Sequence, residues 1–98
     1  MIAEKSPSKY RSQLRIYVDM MRVIQREGNR AKPTRILYGA NLSHDRLTKY
    51  LDELKRLGVI DEIINGGERY YKLTQKGIEF LNEFRRMDNF AAAFGFAV

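Results

Sequence analysis

The 98-residue chain contains no cysteine. That excludes disulfides and thiolate metal sites, and a chain with neither fits an intracellular setting. Histidine is confined to His44, so no imidazole cluster or histidine-based triad can form within one copy. No apolar run approaches the roughly 20 residues that a membrane-spanning helix needs. The opening "MIAEKSPSKYRSQLR" is charged where a secretory signal would be apolar. No P-loop, dinucleotide-binding turn or nucleophile elbow occurs, and the adjacent acids Asp61 and Glu62 would point to opposite faces of a strand. The expectation is a single cytoplasmic domain without enzymatic activity, metal or cofactor.

Basic charge is plentiful, and it is gathered in one part of the chain. Residues 1–58 hold thirteen Lys/Arg against six Asp/Glu, a net of +7, whereas residues 59–98 hold five against six, a net of −1. A basic region in a small domain suits a polyanion, although ordinary solubility would account for it equally well.

The apolar period then divides the chain. Ser6-Pro7, or Ser8, fits the N-cap of a first helix whose stripe is Leu14, Tyr17, Val18, Met21 and Ile24; Gly28 and Asn29 stop it. Pro33 opens a short helix carrying Ile36 and Leu37, and Gly39 breaks it. After the tight connection "GAN", Ser43 caps a helix over 43–57 with Leu47, Leu51 and Leu54 inward and Gly58 as its C-cap. Two helices joined by so short a glycine-containing turn predict a helix-turn-helix. The period next falls to 2. Val59–Ile64 and Glu68–Leu73 read as strands joined by "NGG", with Tyr71 and Leu73 inward and Tyr70 and Lys72 outward. Thr74 caps a final helix. A hairpin directly after a helix-turn-helix is a wing, so the predicted fold class is α+β, a winged helix-turn-helix with a C-terminal helix. The expected division is a winged domain over 1–74, with 1–7 flexible, and a dimerisation helix over 75–98.

The strings "KPTRILYGANLS", "LTKYLDELKRLGVID" and "YYKLTQKGIEFL" resemble the small basic winged-helix proteins of archaea, in particular the 10a-type chromatin-associated proteins and the ArnR-like regulators. Arg35 to Ser43 is the more specific stretch; Leu73 to Gly77 recurs across many winged-helix groups. The resemblance implies a homodimer with paired last helices and two winged domains displayed for double-stranded DNA. It implies little sequence preference in chromatin-type members and operator-specific action in regulator-type members. After Asp88 the chain departs from that pattern, with alanine and phenylalanine in place of a long charged heptad region.

Geometry then nominates residues. The start of the second helix of a helix-turn-helix enters the major groove, which points to Ser43, His44, Arg46, Thr48 and Lys49. A solvated helix face is the plainer account of the same pattern. Asp45 suits the helix dipole, and Asp52 is expected to face away from a duplex. Lys32 and Arg35 stand where a phosphate is held at the start of the motif. Arg69 at the wing tip suits a minor groove or the backbone, with Lys72 beside it. Tyr70 either joins them or packs on the first helix. Lys5, Lys9 and Arg11 suit a basic arm.

The ending "NFAAAFGFAV" is too short for a membrane anchor. On the last helix, Phe80, Phe84, Met87, Ala91, Phe94 and Val98 are spaced as the seam of a helix pair, flanked by Phe90, while Ile78 and Leu81 face the domain core. The expected partners are therefore double-stranded DNA and a second copy, with no membrane. The expected role is transcriptional regulation; an architectural chromatin protein and a protein-interaction module are the alternatives.

Overall fold

The computed structural model describes residues 11–96. The elements are α1 (Gln13–Arg26), α2 (Pro33–Gly39), α3 (His44–Arg56), β1 (Ile60–Asn65), β2 (Glu68–Leu73) and α4 (Gln75–Ala93). Four helices and one antiparallel hairpin make the α+β winged arrangement predicted from the periods. No helix among the described residues is long and apolar enough to cross a membrane.

The first helix begins later than its proline signal predicts. Ser12 is extended, and its hydroxyl accepts a hydrogen bond from the Arg15 N–H at 3.0 Å. Ser6, Pro7, Ser8, the segment 1–7 and the lysines Lys5 and Lys9 lie outside the described residues, as does Val98. Arg11 is tied to the fold rather than part of a free arm. Its guanidinium pairs with Asp19 at 2.8 Å and donates to the Asn41 carbonyl at 3.2 Å.

The predicted stripe on α1 also needs correction. Leu14 is exposed, while Ile16, Met20 and Val23 join Val18, Met21 and Ile24 in the core. The helix is central, touching α2, β2 and α4. A helix covered on several sides has more core positions than one amphipathic stripe suggests. Around it, Ile36 and Leu37 of α2, the three leucines of α3, Ile60 and Tyr71 and Leu73 of the hairpin, and Leu81 and Phe84 of α4 complete a single cluster.

The turns are set by residues that accept a left-handed backbone. Gly66 and Gly67, at φ +61° and +81°, form the two-residue loop of the hairpin, whose register runs from Asn65–Glu68 at the tip to Ile60–Leu73 at the base. Asn29, at φ +62°, ends α1, and its side chain accepts from the Leu73 N–H at 2.6 Å. This brings Ala31 against the free edge of β2, where it exchanges two backbone hydrogen bonds with Tyr71. A single β-bridge thereby flanks the two-stranded wing, an extension too short to leave a period in the sequence.

"LTQKG", Leu73 to Gly77, is a clamp between the end of α3 and the start of α4. The Thr74 hydroxyl donates to the Gly58 carbonyl at 2.6 Å and accepts from the Gly77 N–H at 3.1 Å. The Thr74 N–H donates to the Val59 carbonyl at 3.1 Å, and Lys76 Nζ donates to the Leu57 carbonyl at 2.9 Å. Orphan carbonyls at the α3 C-terminus are thus satisfied by the residues that open α4.

α4 changes character along its length. Its first half carries Gly77, Leu81 and Phe84 into the core. Phe84, placed on the seam from spacing, is only 3% exposed, and the guanidinium groups of Arg15 and Arg22 lie 5.1 and 5.8 Å from its ring centre. Phe80 is half-buried and packs on the same core. Beyond Phe84 no residue of α4 joins the core cluster, although Asp88 still pairs with Arg15 of α1 at 3.7 Å, and the molecule measures 51 × 26 × 21 Å. Gly95 at φ +81° ends it, with the Phe96 N–H donating to the Ala91 carbonyl at 2.9 Å. The backbone closure is the one expected of a terminal glycine. The Phe96 ring remains exposed.

Candidate nucleic-acid interface

α3 leaves its nominated residues on the outer side. Ser43 is its N-cap, the hydroxyl accepting from the Arg46 N–H at 3.3 Å, and Asp45 sits in the first turn where the helix dipole favours a carboxylate. Leu47, Leu51 and Leu54 are buried, so His44, Arg46, Thr48 and Lys49 are left exposed on the outer side. The Thr48 hydroxyl donates to the His44 carbonyl at 3.1 Å. Lys49 Nζ lies 5.9 Å from the ring centre of Tyr50, and Tyr50 packs edge-on against Tyr17. That pair, with a Tyr17 hydroxyl–Glu53 hydrogen bond, fixes α3 against α1.

The connection before α3 is tight because two small residues allow it. Asn41 adopts φ +57°, and Ala40 is buried. A Cβ on Gly39 would come within 2.7 Å of a Val23 methyl, so the end of α2 approaches α1 more closely than a larger residue permits. This accounts for most of the "YGANLS" string. Tyr38 is outside that logic and stands fully in solvent.

The wing supplies a second basic surface. Alternation along β2 puts Tyr70 and Lys72 on the face away from the core. Pairing of Ala31 with Tyr71 adds Arg30 and Lys32 on either side. The Arg30 guanidinium lies 4.3 Å from the Tyr70 ring centre, a stacked cation–π contact. Tyr70 therefore packs against Arg30. Arg30 was not foreseen, because its position depends on the Ala31 bridge.

Acids decide which of these cations are free. Arg69 is held by Glu62 at 2.8 Å, and the same carboxylate accepts from Lys55 at 2.8 Å. The Lys55 hydrogen bond holds the Glu62 carboxyl below the usual carboxylate range, and Lys55 is raised in turn. Asp52 lies 3.8 Å from Lys55, so it belongs to this brace between α3 and the wing. Lys32 pairs with Glu68 at 3.6 Å and Arg35 with Glu27 at 3.7 Å. Arg46, Lys49 and Lys72, by contrast, have no carboxylate within ion-pair distance among the described residues. Exposed cations left unneutralised on α3 and on the wing are the kind of charge that binding a polyanion requires.

Among the described residues no group of three histidines, cysteines or acids is placed to hold a metal. On α4, Met87, Phe90, Phe94 and Phe96 are exposed, the two central phenylalanines at 69% and 64%, with their rings 5.1 Å apart. Ala91 is half-buried. The predicted seam is thus split: Phe80 and Phe84 serve the chain's own core, and the outward apolar surface begins at Met87.

No curated protein matches the chain. Among solved structures, Sso10a-2, a DNA-binding protein from Sulfolobus solfataricus, superposes with a TM-score of 0.68 at 26% identity, over 85% of this chain and 88% of that one. F93 from STIV, a winged-helix DNA-binding protein, gives 0.63 at 18% identity over 86% and 90% of the two chains. A MarR family protein from Bacillus stearothermophilus gives 0.67 at 16% identity over 91% and 64%. At such identities the last two bear on the fold alone. A family model described as winged helix-turn-helix matches residues 10–92. With the helix-turn-helix, the wing and the register already in place, the chain belongs to the winged helix-turn-helix family.

Proposed function

We propose that the protein binds double-stranded DNA as a homodimer and acts as a transcriptional regulator. The recognition helix, residues 43–57, enters the major groove, and the wing tip, residues 65–69, lies on the minor groove or backbone. The observation that carries the reading is the unneutralised trio Arg46, Lys49 and Lys72 on the two elements a winged helix offers to a duplex. The similarity to Sso10a-2 supports it. Arg46 and Lys49 take phosphates or guanine edges, His44 and Thr48 supplement base contact, and Lys32, Arg35, Arg69 and Lys72 grip the backbone. Arg30 stacked on Tyr70 joins them as a rigid phosphate contact.

The test is binding to duplex of random sequence at two salt concentrations. Affinity at about 50 mM salt that falls roughly a thousandfold by 200 mM is expected if several phosphates are neutralised. No binding, or binding indifferent to salt, would leave a protein-interaction module as the better account. The regulatory role is tested separately by selection from random duplexes. A single palindromic motif preferred by roughly a thousandfold supports it. A selection that returns no motif makes the protein architectural.

Two substitutions report on the contacts. Arg46→Ala with Lys49→Ala should weaken binding by roughly fiftyfold per engaged domain at 0.1 M salt and lower the salt slope by about two. Circular dichroism should be unchanged, since both side chains are exposed. Glu62→Gln should do the opposite. It frees Lys55 and Arg69 from one carboxylate, so affinity should rise several-fold and the slope steepen by about one. Because its folded pKa is depressed, Glu62 is protonated only below the ordinary carboxylate range. The brace is intact at neutral pH, and the gain on removing it should be constant from about pH 6 to 8.

A further inference from the structure

We infer that Phe96 of a second copy seats in an apolar hollow at the base of α4, so that each chain's tail locks onto the other's winged domain. The inference rests on the homodimer reading above. The hollow has a volume of about 340 Å³ and lies among Leu14, Tyr17, Met21, Leu57, Val59 and Phe80, where α1, the end of α3 and α4 meet. A cavity of about 150 Å³ already holds benzene, so a phenyl ring is easily admitted. Leu14 and Leu57 are large apolar residues that are 39% and 44% exposed here, which a partner would cover.

Area requires more than the α4 stripe. Met87, Phe90 and Phe94 together would bury roughly 400 Å² per copy, as aromatic side chains of this exposure do. A stable pair buries roughly 800 Å² on each partner. The interface therefore has to extend, and the hollow opens on the same side of α4 as the stripe. On a helical wheel Phe80, at the mouth of the hollow, falls within about 60° of Met87, Ala91 and Phe94.

Symmetry places the ring. A twofold pair matches identical patches, and antiparallel helices overlap the whole apolar stretch from Phe80 to Phe96 when they cross at Asp88. Phe96 of one copy is then level with Phe80 of the other, twice over. A chain's own Phe96 lies past the end of α4, roughly 20 Å along the axis from its Phe80, and cannot fill its own hollow.

The chain has no cysteine, so a paired substitution gives a clean readout. Leu57→Cys combined with Phe96→Cys, both at exposed positions, should form a covalent dimer on mild oxidation of a dilute sample, and Leu57→Cys alone should not. Phe96→Ala in the otherwise native chain should raise the dimer dissociation constant about tenfold or more. A dimer by light scattering that does not cross-link in the double variant overturns the seating while leaving dimerisation intact. Efficient cross-linking of Phe96→Cys alone places the two tails together and overturns it as well. Saturable binding of benzene to the native dimer would show the hollow open, with the same consequence. A native protein of monomer mass at about 50 µM removes the homodimer reading itself.

Discussion

Gly77→Ala should lower the unfolding free energy by about 3–4 kcal/mol, a large effect for adding one methyl group. In an ordinary helix the change would stabilise by about 1 kcal/mol, since glycine is the poorer helix former. Here the sign reverses. A Cβ at position 77 would fall inside the contact radius of the Val59 carbonyl oxygen and within 3.1 Å of its carbon, both backbone atoms. That oxygen is the acceptor for the Thr74 N–H, so it cannot swing away without loss. Moving α4 outward instead breaks the bonds from Thr74 to Gly58 and from Lys76 to Leu57. Thermal unfolding should fall by about 15–25 °C for a domain of this size. The control is Gly39→Ala, where the added methyl meets side-chain methyls of Val23 rather than backbone atoms. Its cost should be nearer 1 kcal/mol. If Gly77→Ala unfolds within about 1 kcal/mol of the native protein, the clamp at the base of α4 is misassigned.

That clamp marks how far the sequence could be read. "LTQKG" was visible as a motif but not as a device, because its partners are backbone atoms of residues 57 to 59 that no side-chain pattern encodes. Many local signals were legible: the diglycine of the hairpin, the Ser43 cap and the leucines of α3 are each decided by residues a few positions apart. What required the third dimension was missed. Ala31 joins β2 as a single bridge, and Arg30 reaches the wing only through it. The candidate site shows the same divide. Spacing placed Arg46 and Lys49 outward on α3, but whether a cation is spent on a neighbouring acid depends on contacts across elements. Glu62 meeting Arg69 is a diagonal pair across the hairpin, and Lys55 reaches it from another helix. Spacing alone also gave α4 one continuous seam, because Phe84 and Phe94 obey the same heptad rule. Only the depth of α1 beside Phe84 separates the residue that the chain buries from the one it leaves exposed.

The second large effect follows from that separation. Phe90→Asp with Phe94→Asp should convert a dimer into a folded monomer and weaken DNA binding by roughly 10²–10³-fold. Both rings are exposed and touch each other rather than the core, so the domain loses little when they are replaced. In a pair, each aspartate would instead be drawn against the apolar stripe of Met87, Ala91 and the partner's rings, a cost of several kcal/mol that dissociation avoids. The loss in binding comes from valency. Two linked heads engage a duplex with the second at high effective concentration, and separate heads forfeit that factor without losing a single contact of their own. The salt slope should therefore fall by about half, because half as many phosphates are neutralised per binding event. Phe84→Ala separates this from unfolding: truncating a ring only 3% exposed should cost about 3–4 kcal/mol of stability in the domain itself. Sedimentation for mass, thermal unfolding for the fold and anisotropy for DNA distinguish the two variants. If the aspartate pair stays dimeric, or keeps native affinity as a monomer, the last helix is not what couples the heads.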